Sequence, residues 1–187
     1  MNKHPIAEEI EKYFREVYNH TLNLAGISFP KKEGLPVYMA VPQDLKEDDI
    51  MKRLTTHFVV KSYQYKTPLA SNINRKAEQP RPKGTYVFAH RGCDEPDDIH
   101  LKKSYNDATK EKLLFVNTKE YLLITGFHRW KHKKWMDEKG WTRTSSLWSD
   151  GRLVSGYWFP SSGELCLNDG LRDGRDVDCG PRELFLG

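Results

Sequence analysis

The chain has 187 residues, of which 37% are hydrophobic, 30% charged and 12% aromatic, with a formal net charge of +4. That length suits one domain, since domains run to about 100 to 200 residues, and so many aromatics exclude an intrinsically disordered chain. Three cysteines (Cys93, Cys166 and Cys179) with no CxxC pair exclude a disulfide-dense secreted scaffold.

The N-terminal MNKHPIAEEIEKYF lacks the apolar stretch of a signal peptide, and no run approaches the ~18 apolar residues of a membrane span. The expectation is a cytoplasmic protein without a membrane partner. Residues 5 to 25 read as a helix: Pro5 suits its first turn, Glu8 and Glu9 its positive end, and Gly26 its stop. Ile6, Ile10, Phe14, Val17 and Leu24 form one apolar stripe. Residues 35 to 41 are a short strand between prolines. A second helix is expected from 45 to 57, with Asp44 as its cap and Glu47 three residues on.

Residues 58 to 65 read as an edge or solvated strand, because neither face is cleanly apolar. From Lys66 to Gly84 the chain holds three prolines and little that is apolar, which predicts a long mobile loop. A strand follows over 85 to 91, then an acidic turn over 92 to 98. Helical periodicity returns weakly at Ser104 and strongly at Thr118, where Leu123, Phe127 and Trp130 share a face and Gly140 serves as the stop. Beyond it, Arg143–Trp148, Leu153–Phe159 and Glu164–Leu167 are strand-like. Ser149-Asp150-Gly151 and Ser161-Ser162-Gly163 supply hairpin turns between them, Asn168-Asp169-Gly170 opens a loop, and residues 184 to 186 return as a last strand.

Charge divides the chain. Lys66, Arg75, Lys76, Arg81 and Lys83 face one acid, Glu78, within the predicted loop, whereas from Asp150 onward seven acids oppose four arginines and lysine is absent after Lys139. An anionic partner therefore prefers the first two-thirds. With Tyr63 and Tyr65 beside it, the basic loop combines cations and rings in the manner of single-stranded nucleic-acid binding. His90, Cys93 and Asp94 form the densest group of reactive types, with Cys93 a candidate nucleophile and His90 its base. Asp169, Asp173, Asp176 and Asp178 cluster in a glycine-containing loop, the oxygen-rich composition that calcium requires, although Arg172, Arg175 and Arg182 stand close enough to pair with them. His128 and His132 are one helical turn apart, but Arg129 stands where a zincin motif needs glutamate.

Trp141-Thr-Arg-Thr-Ser-Ser-Leu-Trp-Ser-Asp-Gly151, Val154-Ser-Gly-Tyr-Trp-Phe159, Gly163-Glu-Leu-Cys-Leu167 and Gly180-Pro-Arg-Glu-Leu184 resemble the C-terminal strands of a broad set of bacterial proteins, some similar to C-type-lectin-like and formylglycine-enzyme-like domains. The resemblance covers about 45 residues and implies a fold that presents a ligand on loops. Cys166 and Cys179 are not placed as that family's two disulfides.

These features predict an α+β protein with mixed helices, antiparallel sheet and a β-rich C-terminal third. Residues 1–187 are expected to form a single domain, with 1–30 as a helical arm and 66–84 as the mobile basic loop. The expected function is a non-enzymatic binding or interaction module for a protein or small ligand, using Trp158 on an exposed aromatic strand. The alternatives are a nucleic-acid-associated protein using Lys66, Arg75, Lys76, Arg81 and Lys83, and a hydrolase or transferase centred on His90 and Cys93. No cofactor is expected, except for calcium at the aspartate loop.

Overall fold

The computed structural model describes residues 4–187, so that residues 1–3 of the expected arm lie outside the described residues. The fold is α+β, with one antiparallel and one mixed sheet. Helix α1 (Ala7–Tyr18) buries the predicted stripe through Ile10, Phe14 and Val17. It stops well before Gly26 because Asn19 adopts the left-handed conformation (φ 51°), the helix-ending role that asparagine shares with glycine. The chain then runs irregularly, with Leu24 still buried and its N–H donating to Glu11 Oε1 at 2.8 Å.

Strands β1 (Val37–Val41), β3 (Tyr86–His90) and β8 (Leu184–Phe185) make the antiparallel sheet, in the order β1-β3-β8. The C-terminal strand thus leaves its sequence neighbours to complete the other sheet. That second sheet contains β2 (Lys61–Gln64), β4 (Trp141–Leu147), β5 (Leu153–Phe159), β6 (Glu164–Gly170) and β7 (Cys179–Pro181), in the order β2-β6-β5-β4-β7. The two hairpins are antiparallel, and β2 and β7 join as parallel edges. The edge character expected for residues 58 to 65 holds for 61–64, whereas Phe58 ends the preceding helix and Val59 is its left-handed cap. Asn168-Asp169-Gly170 continue β6 instead of opening a loop.

Helix α2 (Glu47–Phe58) does not use Asp44 as its cap: Lys46 holds that position without a side-chain bond, and Asp44 lies 3.7 Å from His20. Asp48 instead accepts the N–H groups of Leu69 and Ala70 at 2.7 and 2.9 Å, starting the short helix α3 (Leu69–Asn72). The 66–84 segment is anchored by this contact, by an Ile73–Trp148 bridge and by Asn74 N–H donating to Leu147 O at 2.8 Å. Helices α4 (Tyr105–Lys110) and α5 (Thr118–His132) each begin with a capping box, Ser104 with Asp107 and Asn117 with Glu120. The end of α5 comes before Gly140 because Lys133 turns left-handed (φ 60°); residues 133–140 then fold back and bury Trp135, Met136 and Asp137.

The core forms around α5, which contacts β1 on one side, β4 and β5 on another and α2 on a third. Two glycines permit the approach. A Cβ on Gly156 would lie 2.0 Å from the Tyr121 ring, and one on Gly126 would lie 2.4 Å from both Leu54 Cδ2 and Tyr13 Oη. One continuous hydrophobic cluster unites Ile10, Leu54 and Phe88 with Trp158 and Leu165, and Trp135 stacks on Trp158 at 4.8 Å. Inside this core Arg182 (1% exposed) is ion-paired with Asp137 (0%). Its guanidinium also donates to Thr142 Oγ1 at 2.7 Å and to the carbonyls of Cys93 and Asp94 at 2.8 and 3.2 Å. A buried charge held this way fixes three chain segments to one point, and removing either partner would strand the other.

Candidate ligand-binding face

The five-stranded sheet has one face on the main core; alternation along each strand sends the other residues to a second face, which is covered at one end, where Leu147 and Leu153 pack with Tyr105, Ala108 and Phe115, and part-exposed at the other. In β5 the inward residues are Val154, Gly156 and Trp158, and the outward ones are Ser155, Tyr157 and Phe159. Strand pairing aligns Tyr63, Cys166, Tyr157, Trp141 and Cys179 in a row across all five strands. The Trp141 and Tyr157 rings stack at a centroid separation of 3.7 Å, and Phe159 meets Tyr157 edge-on at 6.0 Å. Tyr63 and Phe159 are each 46% exposed. Four rings therefore line a sheet face that the core does not use.

Next to this row Trp141, Arg143, Ser155, Asp176, Asp178 and Cys179 line a cleft of about 410 Å³. The 171–178 loop forms its wall. This loop is braced on α4 by Arg175 on Asp107 (2.7 Å), by Arg172 over the Tyr105 ring, and by Asn106 N–H donating to Arg172 O at 3.1 Å. Arg143 is 3% exposed; its Nη2 donates to Asp176 Oδ2 at 2.9 Å while its Nε has no partner among the described residues. Burial holds both thiols of the row protonated. It raises Cys166 above its ordinary value and pushes Cys179 up to about 12, where neighbouring Asp178 also contributes and Arg143 opposes. Burial likewise pushes Tyr157 up to about 12. The face thus offers rings, one guanidinium and carboxylate acceptors rather than a nucleophile.

The other sequence candidates are distributed around the molecule. Trp158 is turned inward onto Trp135, and its place on the solvent side is taken by Trp141 and Tyr157. Of the basic loop, Lys66 pairs with Asp150 (2.8 Å), Arg75 with Glu47 and Glu78 (2.8 and 3.2 Å), and Arg81 with the buried Glu120 (2.6 Å); Lys76 and Lys83 are exposed. In the aspartate loop Asp169 pairs with Arg152 at 2.7 Å and Asp176 with Arg143, while Asp173 and Asp178 lie at the surface. Among the described residues no three of His, Cys, Asp and Glu converge as a metal site.

His90 and Cys93 do not form a base–nucleophile pair. His90 Nδ1 accepts the Gly92 N–H at 3.1 Å and Nε2 has no partner among the described residues. Burial, with Arg182 nearby, lowers His90 to about 3. Burial, reinforced by Asp97, raises the Cys93 thiol. Asp94 instead bonds Lys134 at 2.8 Å and His128 at 3.0 Å, which lowers its carboxyl. The cross-strand row was missed in the sequence because it is assembled from three antiparallel strands and two parallel edges; the alternation Tyr157-Trp158-Phe159 was the one signal that could have separated outward from inward rings. Comparison of the chain with family models, with curated proteins and with solved structures finds no match in any of the three.

Proposed function

We propose that the protein is a non-enzymatic binding module whose ligand surface is the solvent face of the five-stranded sheet, and that its ligand is neutral and hydroxyl-rich, such as a saccharide. The Trp141–Tyr157 stack, half-buried on that face beside the Arg143–Asp176 cleft, carries the reading. An aromatic plane takes the C–H side of a flat ligand, and carboxylates and a guanidinium beside it accept and donate to its hydroxyls. The neighbouring charges are already matched, Arg143 with Asp176 and Arg152 with Asp169, which favours a neutral ligand over an ion.

A nucleic-acid role has less support, because three of the five loop cations face acids within 3.2 Å. The test is a tryptophan-fluorescence titration with a panel of neutral disaccharides at low and moderate salt. A saturable response that is insensitive to salt and lost in Trp141→Ala supports the reading. No saturable response to any of them, or a response retained in Trp141→Ala, refutes it. Oligonucleotide retention that falls steeply with salt would favour the alternative.

A further inference from the structure

An edge strand presents a row of N–H and C=O groups to whatever lies beside it. Two edges of this fold are covered by the chain itself. Beside β7, the Lys102 N–H donates to Cys179 O at 2.9 Å; beside β8, the Leu184 N–H donates to Leu114 O at 2.9 Å. The outer edge of β2 has no such cover. Lys61 N–H donates to Gly163 O at 3.1 Å and Tyr65 N–H to Leu167 O at 2.9 Å, so the odd-numbered residues of β2 turn their backbone groups to β6. Alternation turns those of Ser62 and Gln64 the other way, where they meet no partner among the described residues. Lys61, Ser62 and Tyr63 are exposed, and the strand contains neither a proline nor a bulge to blunt it.

Two donors and two acceptors thus stand in line at one edge, and a second β2 running antiparallel matches them. With Ser62 opposite Gln64 of the second copy, and Gln64 opposite its Ser62, each pair exchanges both backbone bonds and all four open groups of each chain are used. Tyr63 then lies on the two-fold axis, facing Tyr63 of the second copy in the close, non-hydrogen-bonded position, with Cα atoms about 4.5 Å apart. Aromatic pairs in that position are stabilising. The two Lys61 side chains fall four residues apart along the paired strands, roughly 13 Å at about 3.4 Å per residue, beyond the Debye length of about 8 Å. Lys66 is already paired with Asp150.

We propose that the open edge of β2 docks a second copy of this chain across a two-fold axis through Tyr63, joining the two five-stranded sheets into one. The contact is isologous, so it closes at the dimer. A four-residue strand and one ring pair bury less than the roughly 1,200 Å² of a stable interface, so the dimer is a reversible one that fills between micromolar and millimolar chain. The dimer does not depend on what the ligand face binds.

Sedimentation of the full chain over that concentration range should show a monomer–dimer equilibrium. Ser62→Pro removes an N–H that β6 does not use and leaves the β2–β6 pairing intact; with its fold checked by amide spectra, it should weaken the dimer by roughly tenfold or more, since two hydrogen bonds are lost. Ser62→Thr keeps the N–H and should dimerise as the wild type does. Photo-oxidative tyrosine coupling of the wild-type chain should give a covalent dimer joined through Tyr63 on both copies, and Tyr63→Phe should abolish it. A chain that stays monomeric at millimolar concentration, wild-type association in Ser62→Pro, or coupling through other tyrosines overturns the proposal.

Discussion

The two faces of the five-stranded sheet treat their large aromatic side chains differently, although the outer face also buries Leu147 and Leu153 against α4 at one end. Inside, Trp158, Leu165 and Leu167 join a core that runs through α5 to the antiparallel sheet, and Gly156 lets Tyr121 touch the backbone. Outside, Tyr63, Tyr157, Trp141 and Phe159 stack on one another and on no helix. Rings on the inner face are held by burial from every side, at about 25 cal/mol per Å² of apolar area; on the outer face Trp141 and Tyr157 are part-buried and stacked, and Tyr63 and Phe159 remain 46% exposed. Inner residues should therefore govern stability, and outer residues recognition.

The largest effects are expected on the inner side. Trp158→Ala should destabilise by about 3 to 5 kcal/mol in denaturant unfolding, and a change near zero would place the ring outside. Breaking the buried ion pair with Asp137→Ala should lose a similar amount, about 3 to 5 kcal/mol, because Arg182 is left charged in the core. The core side also titrates. His90 binds its proton near pH 3 when folded and near 6.5 when unfolded. Between those values the unfolded chain holds more protons, so stability falls as pH falls from about 6.5 toward 3, by several kcal/mol at about 1.4 per pKa unit. The pH slope of unfolding should flatten in His90→Gln; an unchanged slope would remove His90 from that role.

Smaller effects belong to the outer face. Trp141→Ala forfeits the Tyr157 stack, about 0.5 to 1.5 kcal/mol, together with the burial of a half-buried ring, and should destabilise by less than Trp158→Ala; a loss as large as that of Trp158→Ala would erase the distinction between the faces. Smallest of all, millimolar calcium should leave the melting temperature within about 1 °C, since two of the four loop aspartates face arginines. A clear rise would mean that the loop rearranges to ligate the ion.

Much of this division could be read from the chain. Helical stripes at Ile10, Phe14 and Val17, the hairpin turns before Gly151 and Gly163, and the β-rich C-terminal third all follow local rules that the structure obeys. Helix ends at Asn19 and Lys133 were set by left-handed backbone at residues other than glycine, which spacing does not announce. The cap expected on α2 failed because the helix starts only at Glu47, which puts Lys46 at the cap position and leaves Asp44 beside His20. The outer row escaped notice for a related reason. Tyr63 and Cys179 reach it through parallel edge pairings, and only tertiary structure brings such strands together. Trp158 was assigned to the surface with its neighbours Tyr157 and Phe159, although alternation along one strand already sends it to the other side.

The most direct test of the two-faced account is amide and indole NMR mapping of the full chain with a neutral disaccharide. The account predicts shifts confined to the Trp141 indole N–H, to Tyr63 and Tyr157, and to residues 171–178, with Trp158 and Trp135 unmoved. Shifts centred on the 66–83 segment, or none at any outer-face residue, would contradict it.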